Sequence, residues 1–261
     1  MRIILSRKGF DTSNGGIPSP ILPDGTLLSM PIPSDDLLTF SDLRYGEHTY
    51  REILRQLSPN RQYNKCHLDP DIRNGIRIKT IPNWKPAFGQ IGAAQSYLRN
   101  RIKAGDLFLF FGRFQETVGN ITEASLHFDR NAPILHIIYG YMEIGEIISS
   151  DKIAEKHYTW HPHGGGKRLN DKTNTMYLPT ETLSFDKNRR GWGTFDFSKN
   201  RVLTLSNKTA TWREIPCLLS ELIDKNVTNK AKGCGIYYQG IWQELVLKES
   251  DIADAWVNEI F

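Results

Sequence analysis

Leu107 to Phe111 is the densest apolar stretch of the chain, five large apolar side chains in succession between Gly105-Asp106 and Gly112. It is far too short to cross a bilayer, and it lacks the spacing of an amphipathic helix, so Asp106–Phe111 reads as a strand. Arg2 to Ser6, with Ile3, Ile4 and Leu5, reads as a buried strand that stops at Ser6-Arg7-Lys8-Gly9. Ile134 to Ile148 reads as one long strand in which Gly140 and Gly145 mark bulges. Shorter strands are expected at Ile76–Ile81, Thr175–Leu178 and Val202–Leu205, and a hairpin at Ile236–Leu247 turning at Gln239-Gly240.

Helical signals cluster elsewhere. Glu47–Leu57 carries Tyr50, Ile53, Leu54 and Leu57 at helical spacing and stops at Ser58-Pro59. Ile91–Lys103 reads as a helix ending at Ala104-Gly105, and Ser250–Phe261 as a closing helix with Ile252, Ala255, Trp256 and Ile260 inward. Between Asp11 and Pro33, five prolines and several glycines forbid regular helix. Loops of that length in a compact domain tend to carry function. The order is that of an α+β fold: a single compact domain over residues 1–261, helices early, and a mostly antiparallel sheet open to barrel-like closure.

At 261 residues, with 39% hydrophobic, 24% charged and 11% aromatic residues, the chain is too apolar for disorder and too polar for a membrane protein. Cys66, Cys217 and Cys234 are odd in number and widely spaced, which fits neither a disulfide framework nor a zinc knuckle. Met1–Phe10 lacks the apolar core of a secretory signal. The expectation is a reducing, cytoplasmic setting with no membrane partner.

The net charge of +4 hides a segregation. Arg44–Lys103 holds twelve basic residues against four acidic ones, and Lys187–Arg213 holds seven against Asp196 alone, interleaved with Trp192, Phe195, Phe197 and Trp212. Cations beside flat rings suit a polyphosphate with exposed bases. The alternative is a solvated face over an ordinary aromatic core.

Several constellations have chemical potential. Arg7-Lys8-Gly9-Phe10-Asp11, followed by Ser13, Asn14, Gly15 and Gly16, is a strand running into a Gly-rich polar loop whose amides could cradle a phosphate beside a carboxylate; a plain turn is the alternative. It matches neither the P-loop nor the dinucleotide fingerprint. His67, Asp69 and Asp71 could act as general acid and base or bind a metal, or form a structural Asp-Pro turn. Gln90 and Gln95, within Gly89-Gln90-Ile91-Gly92-Ala93-Ala94-Gln95, offer paired donors and acceptors for a base edge, or a tightly packed helix start. His157, His161 and His163 have ligand-like spacing but no carboxylate or cysteine at a supporting offset, so no metal site and no cofactor are assigned, and a mobile basic loop over Gly164–Arg168 is the expectation instead.

The Arg7–Asp11 opening with Gly15-Gly16 and Pro18-Ser19-Pro20, then His67-Leu68-Asp69-Pro70-Asp71, Gly89–Gln95 and Gly105–Gly112, resemble the third type of nucleotide-modification-associated domain, a bacterial and phage family linked to hypermodified DNA. Trp192-Gly193 and Trp242-Gln243-Glu244 extend the resemblance over nearly the whole chain. Within that family the chain looks like an anti-phage DNA glycosylase, which implies removal of α-glucosylated hydroxymethylcytosine from double-stranded phage DNA to leave abasic sites. Known glycosylase signatures are missing: there is no Gly-Gln-Asp-Pro-Tyr-His run, no proline at position 2 and no helix-hairpin-helix loop. The resemblance therefore transfers no catalytic residue.

Breaking an N-glycosidic bond puts positive charge on the sugar and negative charge on the leaving base, so the site needs a carboxylate near one and donors near the other. Asp11 is the first expectation, with Asp69 and Asp71 next, while Lys8 could instead form a Schiff base. His67, Gln90 and Gln95 would read the flipped base, and Arg7, Arg113, Arg189, Arg190 and Trp192 would hold DNA. The rival readings are a non-catalytic reader of modified bases and an enzyme of modified-nucleotide metabolism.

Overall fold

The computed structural model describes residues 1–155, 158–205, 208–218, 223, 228–230, 235–238, 240 and 243–261. The first part of the chain runs β1 (Ile3–Arg7), β2 (Ser19–Ile21), β3 (Ile32–Pro33), β4 (Arg44–Tyr45), β5 (His48–Thr49), α1 (Tyr50–Leu57), β6 (Cys66–His67), β7 (Phe88–Gln90) and α2 (Gly92–Leu98). It continues through β8 (Leu107–Val118), β9 (His127–Phe128), β10 (Leu135–Ser149), α3 (Ser150–Glu155), β11 (Thr175–Pro179) and β12 (Trp192–Thr194). The last described elements are β13 (Thr211–Trp212), β14 (Thr228–Lys230), β15 (Ile236–Tyr238), β16 (Glu244–Leu247) and α4 (Asp251–Ile260). This is a single α+β domain around a mostly antiparallel, partly curled sheet, as the sequence led us to expect.

The main sheet has the order β16-β1-β8-β10-β11-β7, with β12 also on β10 and both β2 and β9 also on β8. Only β1 and β2 run parallel to β8. Its centre explains the unbroken apolar runs. Ile3, Leu5, Leu107, Leu109 and Phe111 pack into one cluster with Trp212 and Trp256, while Ile4, Phe108, Phe110 and Val246 pack into another with Phe88 and Tyr177. A strand buried on both faces gains from apolar residues at every position, so alternation disappears. β10 keeps its partners through two register shifts, between Ile138 and Gly140 against β8 and between Ile144 and Glu146 against β11. These are the two bulges expected at Gly140 and Gly145, and they help bend the sheet. A Cβ on Gly145 would approach the Pro179 carbonyl oxygen to 2.7 Å, so only glycine lets the strands close there.

The helices follow their local signals. Thr49 caps α1 in a capping box with Glu52, and Tyr50, Ile53, Leu54 and Leu57 are its buried face. They pack on Phe10, Leu22, Leu28, Met30 and Phe40, so the Pro/Gly-rich segment is an ordered wall of the domain. Ser250 caps α4, whose buried residues are Ala253, Trp256, Val257 and Ile260. Ile252 is 48% exposed and Ala255 is also exposed. The true stripe is the i, i+3, i+4, i+7 set that begins at Ala253.

Three strand expectations change. Ile76–Ile81 forms no strand and contributes one bridge, Leu43 to Arg77. Val202–Leu205 makes only isolated bridges, to Ile137 and to Trp212. Ile236–Leu247 is not a hairpin, because β15 pairs with β13 and β14 whereas β16 runs antiparallel to β1. The buried run Ile3–Leu5 needs a partner on its second edge, and β16 fills that place. The helix expected over Ile91–Lys103 is confined to α2. His157, Cys234, Gln239 and Trp242 lie outside the described residues. Among the described residues no helix is long and apolar enough to cross a membrane.

Candidate active site

Four remote segments meet at the end of β1. β6 pairs with β3 and delivers His67, after which the chain turns to place Asp69 beside β7. The Gly89 amide, in the middle of β7, donates to Asp69 Oδ1 across 2.7 Å. His163 enters on the short 3-10 turn Pro162–Gly164, capped by His161, whose Nδ1 accepts the His163 amide at 3.2 Å. Together with the Lys8–Asn14 loop these segments enclose a cavity of about 220 Å³ lined by Lys8, Asp11, His67, Asp69, Gln90 and His163, among others. A wider groove of about 700 Å³, bordered by Asp36, Trp160 and Lys167, shares Arg168 with it.

The charges are held in a fixed pattern. Burial favours the neutral Asp69 carboxyl, but the hydrogen bond from His161 and the fields of the surrounding imidazoles outweigh it and hold its pKa well below the usual carboxylate range. His161 Nε2 lies 3.4 Å from Asp69 Oδ1. Because His161 Nδ1 is an acceptor, its proton is on Nε2, facing the carboxylate. Burial pushes His163 down to about 3, against the pull of Asp69, so the ring is neutral. Asp36 is likewise partly buried yet kept ionised by hydrogen bonds from His67 and Arg168. His67 Nδ1 lies 2.7 Å from Asp36 Oδ2, and Arg168 Nη2 lies 3.2 Å from the same oxygen.

On the opposite wall Glu244, which is 3% exposed, gathers the polar groups. Its Oε1 accepts from Ser6 Oγ at 3.0 Å, from Lys8 Nζ at 3.2 Å and from Gln90 Nε2. Its Oε2 has no hydrogen-bond partner among the described residues. Lys8 Nζ also sits 4.6 Å above the Phe88 ring. Asp11 is oriented from its own loop: Oδ1 accepts the Ser13 and Asn14 amides at 2.8 and 2.7 Å and Asn14 Nδ2 at 3.1 Å. Its Oδ2 lies 3.9 Å from Arg7 Nη2.

The structure sorts the residues singled out by sequence. Arg7, Lys8, Asp11, Asn14, His67, Asp69 and Gln90 line the cavity. The Gly-rich loop closes on its own carboxylate, since the Ser13 and Asn14 amides serve Asp11 Oδ1 and the Gly16 amide serves the Asp11 carbonyl at 2.9 Å. Gly15 contributes its carbonyl to Tyr63 Oη at 2.7 Å. Asp71 stands outside the cavity lining, fully buried and bound by Arg77 at 2.8 Å and Trp84 Nε1 at 3.1 Å. Gln95 is buried and accepts from Tyr177 Oη at 2.6 Å. Arg113 is half-buried, and burial lowers its pKa, against the charge of Asp11. Arg189 and Arg190 lie over Phe261 and Trp192 and do not line the cavity.

Sequence alone singles out neither Asp36 nor Asn174, gives Glu244 only as part of the family resemblance and Arg168 only as the end of a basic loop, and sets aside His161 and His163 for want of a nearby carboxylate. That carboxylate is Asp69, brought from another segment. Ligand atoms of His67, Asp69 and His163 all lie within 4.8 Å of one another, which makes them the described residues able to hold a metal. The arrangement pairs an ionised carboxylate with the neutral His163 imidazole and two further histidines beside a pocket, a combination suited to catalysis.

Comparison with curated proteins and with solved structures returns no match. The sequence matches the family described as nucleotide modification associated domain 3 over residues 2–248, so the chain belongs to that family.

Proposed function

We propose that this protein is a DNA glycosylase that excises a modified cytosine, α-glucosylated hydroxymethylcytosine, from double-stranded phage DNA by hydrolysing the N-glycosidic bond and leaving an abasic site. The reading resembles what is expected of a bacteriophage replication inhibitor glycosylase within the family. The observation that carries it is the convergence of Lys8, Asp11, Asp69 and Gln90 on one cavity of about 220 Å³, a space suited to a single extruded base and not to a duplex.

Within this reading the oriented Asp11 carboxylate stabilises the developing positive charge on the sugar or positions the attacking water. Lys8 and Gln90, tied together through Glu244, supply donors where the leaving base gathers negative charge. Arg7 holds a flanking phosphate. The wider groove that shares Arg168 has polar groups and Trp160 for the glucosyl moiety. A further hollow of about 180 Å³ is lined by Arg44, Arg73 and Lys79, beside an Arg77 already paired with Asp71, and it offers cations for the DNA backbone. The ionised, buried Asp69 among histidines favours an enzyme over a reader, which has no need of such a group.

The test is incubation of the full chain with glucosylated and unmodified phage DNA, with released base and abasic sites quantified by mass spectrometry and aldehyde-reactive labelling. Base release is expected only from glucosylated DNA, and Asp11→Asn is expected to slow it at least about 100-fold. Tight binding without release would leave the reader, and turnover of free nucleotides alone would leave nucleotide metabolism. Full release by Asp11→Asn would move the role to Asp69.

A further inference from the structure

We propose that His67, Asp69 and His163 bind one first-row divalent transition-metal ion in the wall of the cavity, as a two-histidine, one-carboxylate site with its remaining positions open to that cavity. The site stands on its own geometry and does not depend on base excision being the activity.

Hydrogen bonds decide which atoms of the three residues face one another. His67 Nδ1 is 2.7 Å from the ionised Asp36 Oδ2, an acceptor, so Nδ1 carries a proton and Nε2 is the ring nitrogen turned toward Asp69. Asn174 Nδ2 donates to the His163 carbonyl at 2.9 Å, which fixes Asn174 Oδ1 as the atom 2.7 Å from His163 Nδ1. His163 therefore also carries its proton on Nδ1 and its lone pair on Nε2. Asp69 Oδ1 is occupied by the Gly89 amide and faces His161, which leaves Oδ2. His67 Nε2 and Asp69 Oδ2 stand 3.9 Å apart, too far for a hydrogen bond, so neither atom is taken up by the other. A carboxylate oxygen and two imidazole nitrogens so placed can share one cation as electron-pair donors. Closing from at most 4.8 Å to the roughly 3.3 Å between ligands of an ion with bonds of about 2.0–2.1 Å requires only small rotations.

The supports are those of a metal site. A carboxylate behind one ligating histidine and an amide oxygen behind the other fix tautomer and ring angle and raise ligand basicity. Asp36 is itself clamped by Arg168 and accepts from Ser34 Oγ at 2.9 Å, and Asn174 is fully buried. Gly89 makes room for the His163 ring, since a Cβ there would lie 2.2 Å from its carbons. Two imidazoles with one carboxylate suit zinc, iron, cobalt or manganese better than magnesium or calcium, which favour all-oxygen shells. Three protein ligands leave room for water or substrate, whereas a structural zinc site is closed by four.

The full chain, stripped with EDTA and dialysed, is titrated with Co(II). One equivalent is expected to bind with visible d–d bands, to be displaced by Zn(II), and to show two exchangeable imidazole N–H resonances in the paramagnetic proton NMR spectrum. His163→Gln is expected to abolish the bands, and Asp36→Asn to weaken binding about 10–100-fold with the fold retained by far-ultraviolet circular dichroism. Failure of the wild-type chain to bind stoichiometric Co(II) or Zn(II) at micromolar concentration overturns the site. So does undiminished binding by a folded His163→Gln variant, or the absence of both N–H resonances. If His163→Gln does not fold, the wild-type NMR spectrum decides. Metal binding without base release rejects only the glycosylase reading, and base release from a chain that binds no metal rejects only the metal site.

Discussion

Gly89 lies against the His163 ring so closely that a Cβ at position 89 would sit 2.2 Å from two imidazole carbons, while its amide holds Asp69 Oδ1 at 2.7 Å. One residue without a side chain thus sets the distance between two walls of the cavity. Gly89→Ala should displace His163 and cost about 1–3 kcal/mol in urea unfolding. Base release should fall by more than the stability loss explains, measured on protein shown to be folded at the assay temperature.

Asp71 and Asp69 are two residues apart and should behave differently. Asp71 is fully buried, bound to Arg77 and Trp84, and outside the cavity lining. Asp71→Asn should destabilise the fold by about 3 kcal/mol, because it leaves the Arg77 charge without its partner. The rate of base release per folded molecule should stay within about threefold of wild type, and a larger drop would place Asp71 in the chemistry.

Glu244 holds Ser6, Lys8 and Gln90 through one oxygen. Glu244→Gln removes the charge opposite Lys8, whose side chain is only 11% exposed, and should cost about 3 kcal/mol in denaturant melts. Lys8 is engaged in that ion pair, so borohydride should trap no covalent adduct with glycosylated DNA. A trapped adduct lost in Lys8→Gln would establish the Schiff-base route.

His136 is buried against Trp212, whose Nε1 donates to His136 Nδ1 at 3.0 Å. Burial, reinforced by the charges of Arg7 and Arg113, pushes its pKa down to about 3. The unfolded chain takes up this proton near pH 6.5, so the contribution is complete above that value and is lost progressively as pH falls toward 3. Between pH 7 and 4.5 the wild type should lose roughly 2–3 kcal/mol more than His136→Gln, which keeps an acceptor for Trp212. Equal losses in urea melts at the two pH values would refute this.

Arg44 and Lys79 line the hollow of about 180 Å³ and are exposed. Replacing each with Ala should reduce the slope of log affinity against log salt for DNA by about one. An unchanged slope in fluorescence anisotropy titrations would remove this hollow from the DNA path.

The central strands were legible because their cause is local: Leu107–Phe111 is apolar at every position, and burial on both faces of the sheet is the condition that permits it. The bulges at Gly140 and Gly145 and the α1 cap were legible for the same reason, since glycine and a Thr-Glu pair act within a few residues of themselves. The partners of the later strands were not. β16 reads like half of a hairpin until the bare edge of β1, more than two hundred residues earlier, claims it.

The sequence by itself determined that the chain builds a mixed α+β domain, that it carries segregated cations, and that Lys8, Asp11, His67, Asp69 and Gln90 are polar or ionisable groups in Gly- and Pro-marked local settings. Tertiary structure alone decided which of them meet. It separated Asp71 from Asp69 and turned Gln95 into packing. It also brought His163 across 94 positions of chain to Asp69 and set Asp36, Asn174 and Glu244 behind the cavity walls. The reason is physical: hydrogen-bond partners of a buried charge are chosen by proximity in space, and no local spacing rule records a contact made by strands that pair far apart in sequence.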